Sequence, residues 1–555
     1  MINTVDSTTK EKSNSDDGLH LHRRQGFDAT LPHFYEGPSN DLDYLEIWCY
    51  TDKLSYKAGD DVCFHLNTTA IEIALYIYRD GKTLEFIKKI EHIPGKYYQT
   101  PKDFYVDGCN WPVGYSWKTP ADLSSGFYLV ICKVRNGQGE EREHEAGFFI
   151  RPKVGRPTAS ILLIAATNTW TAYNDWGGTN NYVGLCDGFT HGKSPQLTIH
   201  RPWAKGFLSI PEGAPRKPHD YVTKPGSIPR YPPIEFAFTR GYSKYYANAG
   251  WASYERLFAQ WAEQQGYQLD YATQIDLHCL PDLVTHYPCV AIVGHDEYWT
   301  LEMRQVIDHY IDNGGHLARF AGDFAWQIRL ENQHRIQVCY KDEAVAKDPV
   351  IETEDSHLLT SLWDDPRVGW KGAETLGLTS TYGTYAGVGH IAPRHNGGFT
   401  VYRPGHWVFK DTDLCYGDQF GSNAKIFGYE VDGLDYVIRD GMPEPTYRDG
   451  AIADTQILAM GLAGNAELDH GNKGTVRYYG SDEIPQIART RYGEVTGRTK
   501  AAAARGNGMI VLCSRGKGQL FNAGSCEWVS GLKQADIYTQ TITHNVLNRF
   551  TRNTE

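Results

Sequence analysis

The sequence predicts an α/β protein that opens with a β-sandwich, on three observations. Short alternating segments with turn signals fill residues 44–153. From residue 154 on, continuous apolar runs alternate with helical spacings. No stretch approaches the about 20 apolar residues of a membrane helix. Of 555 residues, 41% are apolar and 22% charged, which excludes a disordered chain, a collagen and a coiled-coil rod.

The elements follow in order. Residues 1–43 are rich in Ser, Asp, Lys and His and read as a polar tail. In residues 44–153, Leu45–Tyr50, Tyr56–Val62, Ile71–Tyr78 and Gly126–Cys132 alternate as strands, separated by Asp80-Gly81 and Asn136-Gly137. Six or more short strands there predict an immunoglobulin-like sandwich. Ser160–Thr167 is a continuous apolar run, the sign of a strand buried on both faces. A Gly-, Pro- and Tyr-rich stretch from Asn168 to Ala249 reads as loop. Trp251, Tyr254, Leu257, Phe258 and Trp261 then fall at helical spacing, and Tyr267–Tyr271 is a short strand. Pro288–Gly294 is a buried strand, Met303, Val306, Ile307 and Tyr310 mark a helix, and His316–Gly322 is a further strand. This alternation predicts a mostly parallel, Rossmann-like α/β domain over 154–555, of the class I amidotransferase-like kind, with a β-rich insertion around 333–508. Gly508–Cys513 and Gln519–Gly524 read as a hairpin, and Asp536–Phe550 as a closing helix.

Charge and cysteine usage narrow the function. A formal net charge of −12 disfavours nucleic acid and anionic membranes as partners. The polar start, Met1 to Asp17, has no signal-peptide run. Eleven cysteines stand singly with no CxxC pair, which points to a reducing cytoplasm and away from disulfides or a thiolate zinc site. The chain has no Walker loop, no GxGxxG after the first strand, no GxSxG elbow and no HExxH.

Open α/β sheets bind ligands beyond the carboxyl ends of their strands. Asn168–Asn181, His295–Tyr298 and Gly322–Trp326 occupy such places. On local pattern alone each is equally an aromatic loop or an acidic helix cap.

Four segments carry a resemblance. Asn168-Thr169-Trp170-Thr171-Ala172-Tyr173-Asn174-Asp175-Trp176-Gly177-Gly178, Gly294–Trp299, Phe427–Asp432 and Phe521–Trp528 resemble the large (catalytic) subunit of the N,N-dimethylformamidase family, over about residues 44–551. The resemblance implies an amidohydrolase that cleaves the C–N bond of a small amide with a mononuclear Fe(III) held by two tyrosinates and a carboxylate. It makes Glu297 of His295-Asp296-Glu297 the carboxylate and Tyr173 the first tyrosine. Tyr182 is the second, with Tyr221 and Tyr298 as competitors. His295 is then the candidate for proton transfer, Glu430 its orienting partner or base, and Asn174 and Asp296 candidates for substrate binding. Glu331 is a spare carboxylate, read as structural. The family pairs its large chain with a small helical subunit, so a homo-oligomer and such a partner are expected; residues 1–43 contain nothing like that subunit.

Such a site is chemically coherent. Two phenolates and a carboxylate supply −3 from hard oxygen donors, which match a hard trivalent ion. Mn, Mg and Zn also remain open from sequence. A different class of reading takes the chain as a carbohydrate- or small-ligand-binding protein, with Trp170, Trp176 and Trp299 as stacking platforms.

Overall fold

The structure is a computed structural model that describes residues 22–28, 31–184, 186–218, 231–388, 397–465 and 483–552. Within the segment expected as a polar tail, His22–Asp28 and Leu31–Tyr35 pair as antiparallel strands. Further on, the buried Glu36 side chain accepts a hydrogen bond from the Lys205 backbone (2.7 Å).

Two β-sheets follow. One has three strands in the order Ile47–Thr51, Asp61–Thr68, Val113–Lys118. The other has five, in the order Ser55–Lys57, Glu141–Arg151, Gly126–Arg135, Glu72–Asp80, Leu84–Pro94. Alternation puts Ile73, Leu75, Ile77, Val130, Cys132, Phe148 and Ile150 of the second sheet into one core with Val62, Phe64 and Trp117 of the first. The opposite face of the five-stranded sheet is apolar too. Its Phe127 stacks on Trp251 at 4.4 Å, and Phe149 lies 5.9 Å from Trp170. That contact welds this layer to the rest of the chain.

Among the described residues the large sheet has eleven strands. Five are parallel, in the order Leu269–Thr273, Ile161–Ala165, Cys289–His295, His316–Gly322, Gly518–Asn522. Their continuous apolar runs are explained by cover on both faces. Leu163, Val293 and Phe320 point to the side of helices Glu255–Gln264, Trp528–Lys533 and Ile537–Phe550. Leu162, Ile164, Ile292 and Leu317 point to the side of Leu301–Asp312. Beyond Gly518–Asn522 the sheet continues antiparallel through Arg505–Arg515, Gln456–Gly464, Thr379–Ala386 and Tyr429–Gly433. Strands from the expected β-rich insertion therefore extend this same sheet.

One local expectation changes. The loop-like stretch after the first strand begins with a fully buried helix, Thr167–Tyr173. Its residues are poor helix formers with no amphipathic period, so tertiary partners make it: Gln274 Oε1 accepts from the Asn168 N–H (2.9 Å) and Glu255 Oε1 from the Ala166 N–H (2.9 Å). The same loop-like stretch also contains the helix Pro232–Arg240.

Candidate active site

Three parallel strands end at one place. After Ile161–Ala165 comes the helix carrying Tyr173, after Cys289–His295 comes Asp296-Glu297-Tyr298, and after His316–Gly322 comes Asp323. Tyr429–Gly433 brings Glu430 to the same place. Close approach requires glycine at two strand ends. A Cβ on Gly294, whose φ is +79°, would sit 2.3 Å from Tyr254 Cβ, and one on Gly322 would sit 2.6 Å from the Cys526 backbone nitrogen.

The side chains of His295-Asp296-Glu297 divide their work. Asp296 turns into the core, where its carboxylate meets Arg319 (3.0 Å), Gln274 (2.9 Å) and Trp299 (2.8 Å). Arg319 also holds Asp432 at 2.7 Å, and all three charges are fully buried. This strut locks the Glu297 loop to the Glu430 strand, so Asp296 is structural here. Asn174 is engaged as well: its amide donates to Pro202 O (2.9 Å) and accepts from the Trp176 and Ala204 N–H groups. It does not line the cavity described below.

Glu297 collects the hydroxyls. The Tyr182 hydroxyl lies 3.1 and 3.2 Å from its two carboxylate oxygens and 2.8 Å from the Tyr298 hydroxyl. The Tyr173 ring packs 4.4 Å from the Tyr182 ring, and the Glu297 charge acts on the Tyr173 hydroxyl. Trp326 Nε1 donates to Glu297 at 2.7 Å. Tyr221 lies outside the described residues. Glu331 sits on a separate short strand, paired with Arg329 at 3.2 Å.

Two groups carried no assigned role from sequence, although Asp323 falls within Gly322–Trp326. Lys341 Nζ lies 3.1 Å from the Tyr298 hydroxyl, 3.8 Å from Glu297 and 3.7 Å above the Tyr182 ring centroid. It sits in a 3₁₀ turn after a short strand, with no motif to mark it. Asp323 lies 3.4 Å from His295 Nε2, which also faces Glu297 at 3.2 Å and Glu430 at 3.1 Å. Its position just past a strand end was the available signal. The other ring nitrogen of His295 meets Asn248 O (2.6 Å) and the Tyr429 hydroxyl (3.1 Å).

Burial and charge set the protons. Burial raises the Tyr173 and Tyr182 hydroxyls well above their usual range, and the Glu297 charge adds to it. Without a cation neither ionises at neutral pH. Burial would also raise Glu297, but the Lys341 and His295 charges outweigh it and hold this carboxyl below its ordinary value. Burial opposes a charged His295, yet Glu430, then Asp323 and Glu297, raise its pKa well above the usual one. Burial and the Glu297 charge push Asp323 up to about 6, and burial with the Asp323 charge raises Glu430 strongly.

A cavity of about 290 Å³ opens onto these groups, with Tyr173, Tyr182, Glu297, Asp323, Trp326, Lys341 and Glu430 in its wall. That is the small end of ligand pockets, which run from about 300 Å³ upward. The tryptophans offered as sugar platforms are elsewhere: Trp170, Trp176 and Trp299 are 2%, 0% and 0% exposed, inside the core. Among the described residues no helix is long and apolar enough to cross a membrane.

Comparison with known proteins bears on the same region. Residues 71–542 match the family model described as N,N-dimethylformamidase beta subunit-like, C-terminal. Over 239 residues the chain is 25% identical to the N,N-dimethylformamidase beta subunit of Alcaligenes sp, covering 38% of this chain and 27% of that one. Over 247 residues it is 25% identical to the beta subunit of the same name from Paracoccus aminophilus, again 38% and 27%. The match thus spans about a quarter of the length of the curated relatives.

Proposed function

The chain belongs to the N,N-dimethylformamidase beta subunit-like family, and from that premise we propose that it hydrolyses the C–N bond of a small amide, in a pocket that holds one Fe(III). One observation carries the reading: the Tyr182 hydroxyl meets the Glu297 carboxylate, with Tyr173 packed against Tyr182, in the wall of one small cavity.

The donor set fits such an ion. All three groups offer hard oxygen. The Tyr182 proton now stands between a phenol oxygen and Glu297, where ionising either tyrosine demands a compensating cation. Tyr173, Tyr182 and Glu297 are assigned to hold it, and Tyr298, hydrogen-bonded to Lys341, is assigned to support Tyr182. Bound there, Fe(III) supplies Lewis acidity towards an amide carbonyl and a water.

The chain's own groups do the rest. Trp326 and Tyr182 wall a space suited to a substrate of a few heavy atoms. Asp323, with its pKa near 6, is the base placed to take a proton from the attacking water. His295 holds a proton at Nε2 among three carboxylates and is assigned to deliver one to the departing amine nitrogen as the C–N bond breaks. Glu430 and the Asn248 carbonyl orient that imidazole. Lys341 keeps Glu297 ionised.

Because the relatives are named as subunits of an enzyme, we extend the proposal to an assembly with further copies or a separate small subunit. The test is amide hydrolysis by iron-loaded protein, with Glu297→Ala and Tyr173→Phe alongside. Wild-type turnover lost in both variants supports the reading. Undiminished turnover in both overturns it.

A further inference from the structure

A second cluster of metal-ligating side chains lies apart from the pocket, and its chemistry differs. His278 and Cys279 end the helix Gln274–Cys279. His334 lies in the turn between the short strands Arg329–Glu331 and Ile336–Val338. Cys279 Sγ and His334 Nδ1 are 3.4 Å apart, and the His278 and His334 rings lie 4.9 Å apart, edge to face. One ligand atom from each of the three falls within 4.8 Å of the others.

The shortest of these separations matches a coordination polyhedron. With Zn–S about 2.3 Å and Zn–N about 2.0 Å, a tetrahedral ion spaces its sulfur and nitrogen ligands by about 3.5 Å. The 3.4 Å pair already has that spacing, and the third donor needs only a small movement.

Two further features go beyond a plain thiol–imidazole hydrogen bond. His278 Nδ1 lies 2.9 Å from Thr300 Oγ1 and 3.5 Å from the Glu302 carboxylate. The carboxylate favours the tautomer with its proton on Nδ1, which leaves the Nε2 lone pair for a ligand bond. Metal-bound histidines are commonly backed by a carboxylate or hydroxyl in this way. The turn that presents His334 also has three successive residues in the left-handed region: Asn332, Gln333 and His334, at φ of 48°, 56° and 65°. For residues with a Cβ this conformation is disfavoured, because the Cβ crowds the following carbonyl oxygen. Such geometry persists where surrounding interactions impose it. Here it folds His334 back over Cys279.

We propose that His278, Cys279 and His334 form a cation site of the zinc class, with the Glu302 carboxylate orienting His278 and water completing the coordination. Thiolate and imidazole are borderline-soft donors. The site therefore selects a different ion from the all-oxygen set at Tyr173, Tyr182 and Glu297. On binding, the Cys279 thiol loses its proton to solvent. Sequence spacing hides the site, because its ligands come as an adjacent pair and a third residue 55 positions on. The ion clips two parts of the pocket's support together. The helix it ends begins with Gln274, which holds Asp296 and caps the Tyr173 helix. The turn it fixes leads through Ile336–Val338 to Lys341.

The test uses the full chain stripped of metal with a chelator and titrated with zinc against a chromophoric competitor. Wild type is expected to bind one zinc that Cys279→Ser and His334→Ala bind at least tenfold more weakly. Glu297→Gln, which alters only the oxygen site, is expected to keep it. Circular dichroism of the metal-free variants checks that they are folded. Alkylation of Cys279 in wild type, followed by peptide mass, needs no variant: zinc should slow it at least tenfold. Equal zinc affinity in Cys279→Ser and His334→Ala overturns the proposal, and so does a Cys279 that zinc does not protect.

Discussion

Replacing Glu255 by glutamine should remove a specific slope from the pH dependence of stability. Glu255 is 1% exposed at the start of helix Glu255–Gln264. Its Oε1 accepts from the Ala166 N–H (2.9 Å) and from Trp170 Nε1 (3.1 Å), and it faces no cation among its described partners. Burial pushes its pKa from the ordinary 4.5 up to about 8. The folded state therefore holds a proton between about pH 4.5 and 8 that the unfolded chain has released. With more protons on the folded side, stability falls as pH rises through that window. At about 1.4 kcal/mol per pH unit, the full loss is on the order of 4–5 kcal/mol, complete above pH 8. Glutamine keeps an acceptor oxygen for both donors and cannot ionise. The two proteins should unfold alike near pH 5. By pH 9 the variant should be more stable by several kcal/mol. Urea unfolding followed by tryptophan fluorescence at pH 5, 6.5, 8 and 9 reads this out directly. Parallel wild-type and variant curves across that range would refute the reasoning.

Other perturbations probe the site's frame and charge. Arg319→Met leaves the buried Asp296 and Asp432 without their shared cation and should cost about 3–5 kcal/mol, read as a lower thermal midpoint; adding Asp296→Asn and Asp432→Asn should recover part of it. Lys341→Met removes the charge that most lowers Glu297, so in the metal-free protein the Glu297 carboxyl should titrate at higher pH, read by carboxyl-region difference infrared spectra against Glu297→Gln. Tyr182→Phe deletes the hydroxyl shared by Glu297 and Tyr298 and should weaken iron binding at least tenfold in a chelator competition.

Much of the framework was legible in the sequence because two-sided burial leaves an unmistakable pattern. Ser160–Thr167, Pro288–Gly294 and His316–Gly322 read as continuous apolar runs and appear as Ile161–Ala165, Cys289–His295 and His316–Gly322. The hairpin at its Arg515-Gly516-Lys517-Gly518 turn and the helix capped by Asp536 were equally plain. The helix Thr167–Tyr173 was not, because Gln274 and Glu255, remote in sequence, stabilise it. The site divides the same way. His295, Glu297, Tyr173, Tyr182 and Glu430 come together around one cavity, while Asp296 and Asn174 face away into polar contacts that no local pattern announces. Lys341 reaches Glu297 from a turn 44 residues downstream, and only the folded chain reveals it.

The most direct test of the account is the metal content of the purified protein, read with its visible spectrum and repeated on Tyr173→Phe. The expected result is about one iron per wild-type chain and a tyrosinate-to-iron charge-transfer band that weakens or shifts in the variant. A colourless protein that cannot be loaded with iron would contradict it, as would a band identical in Tyr173→Phe.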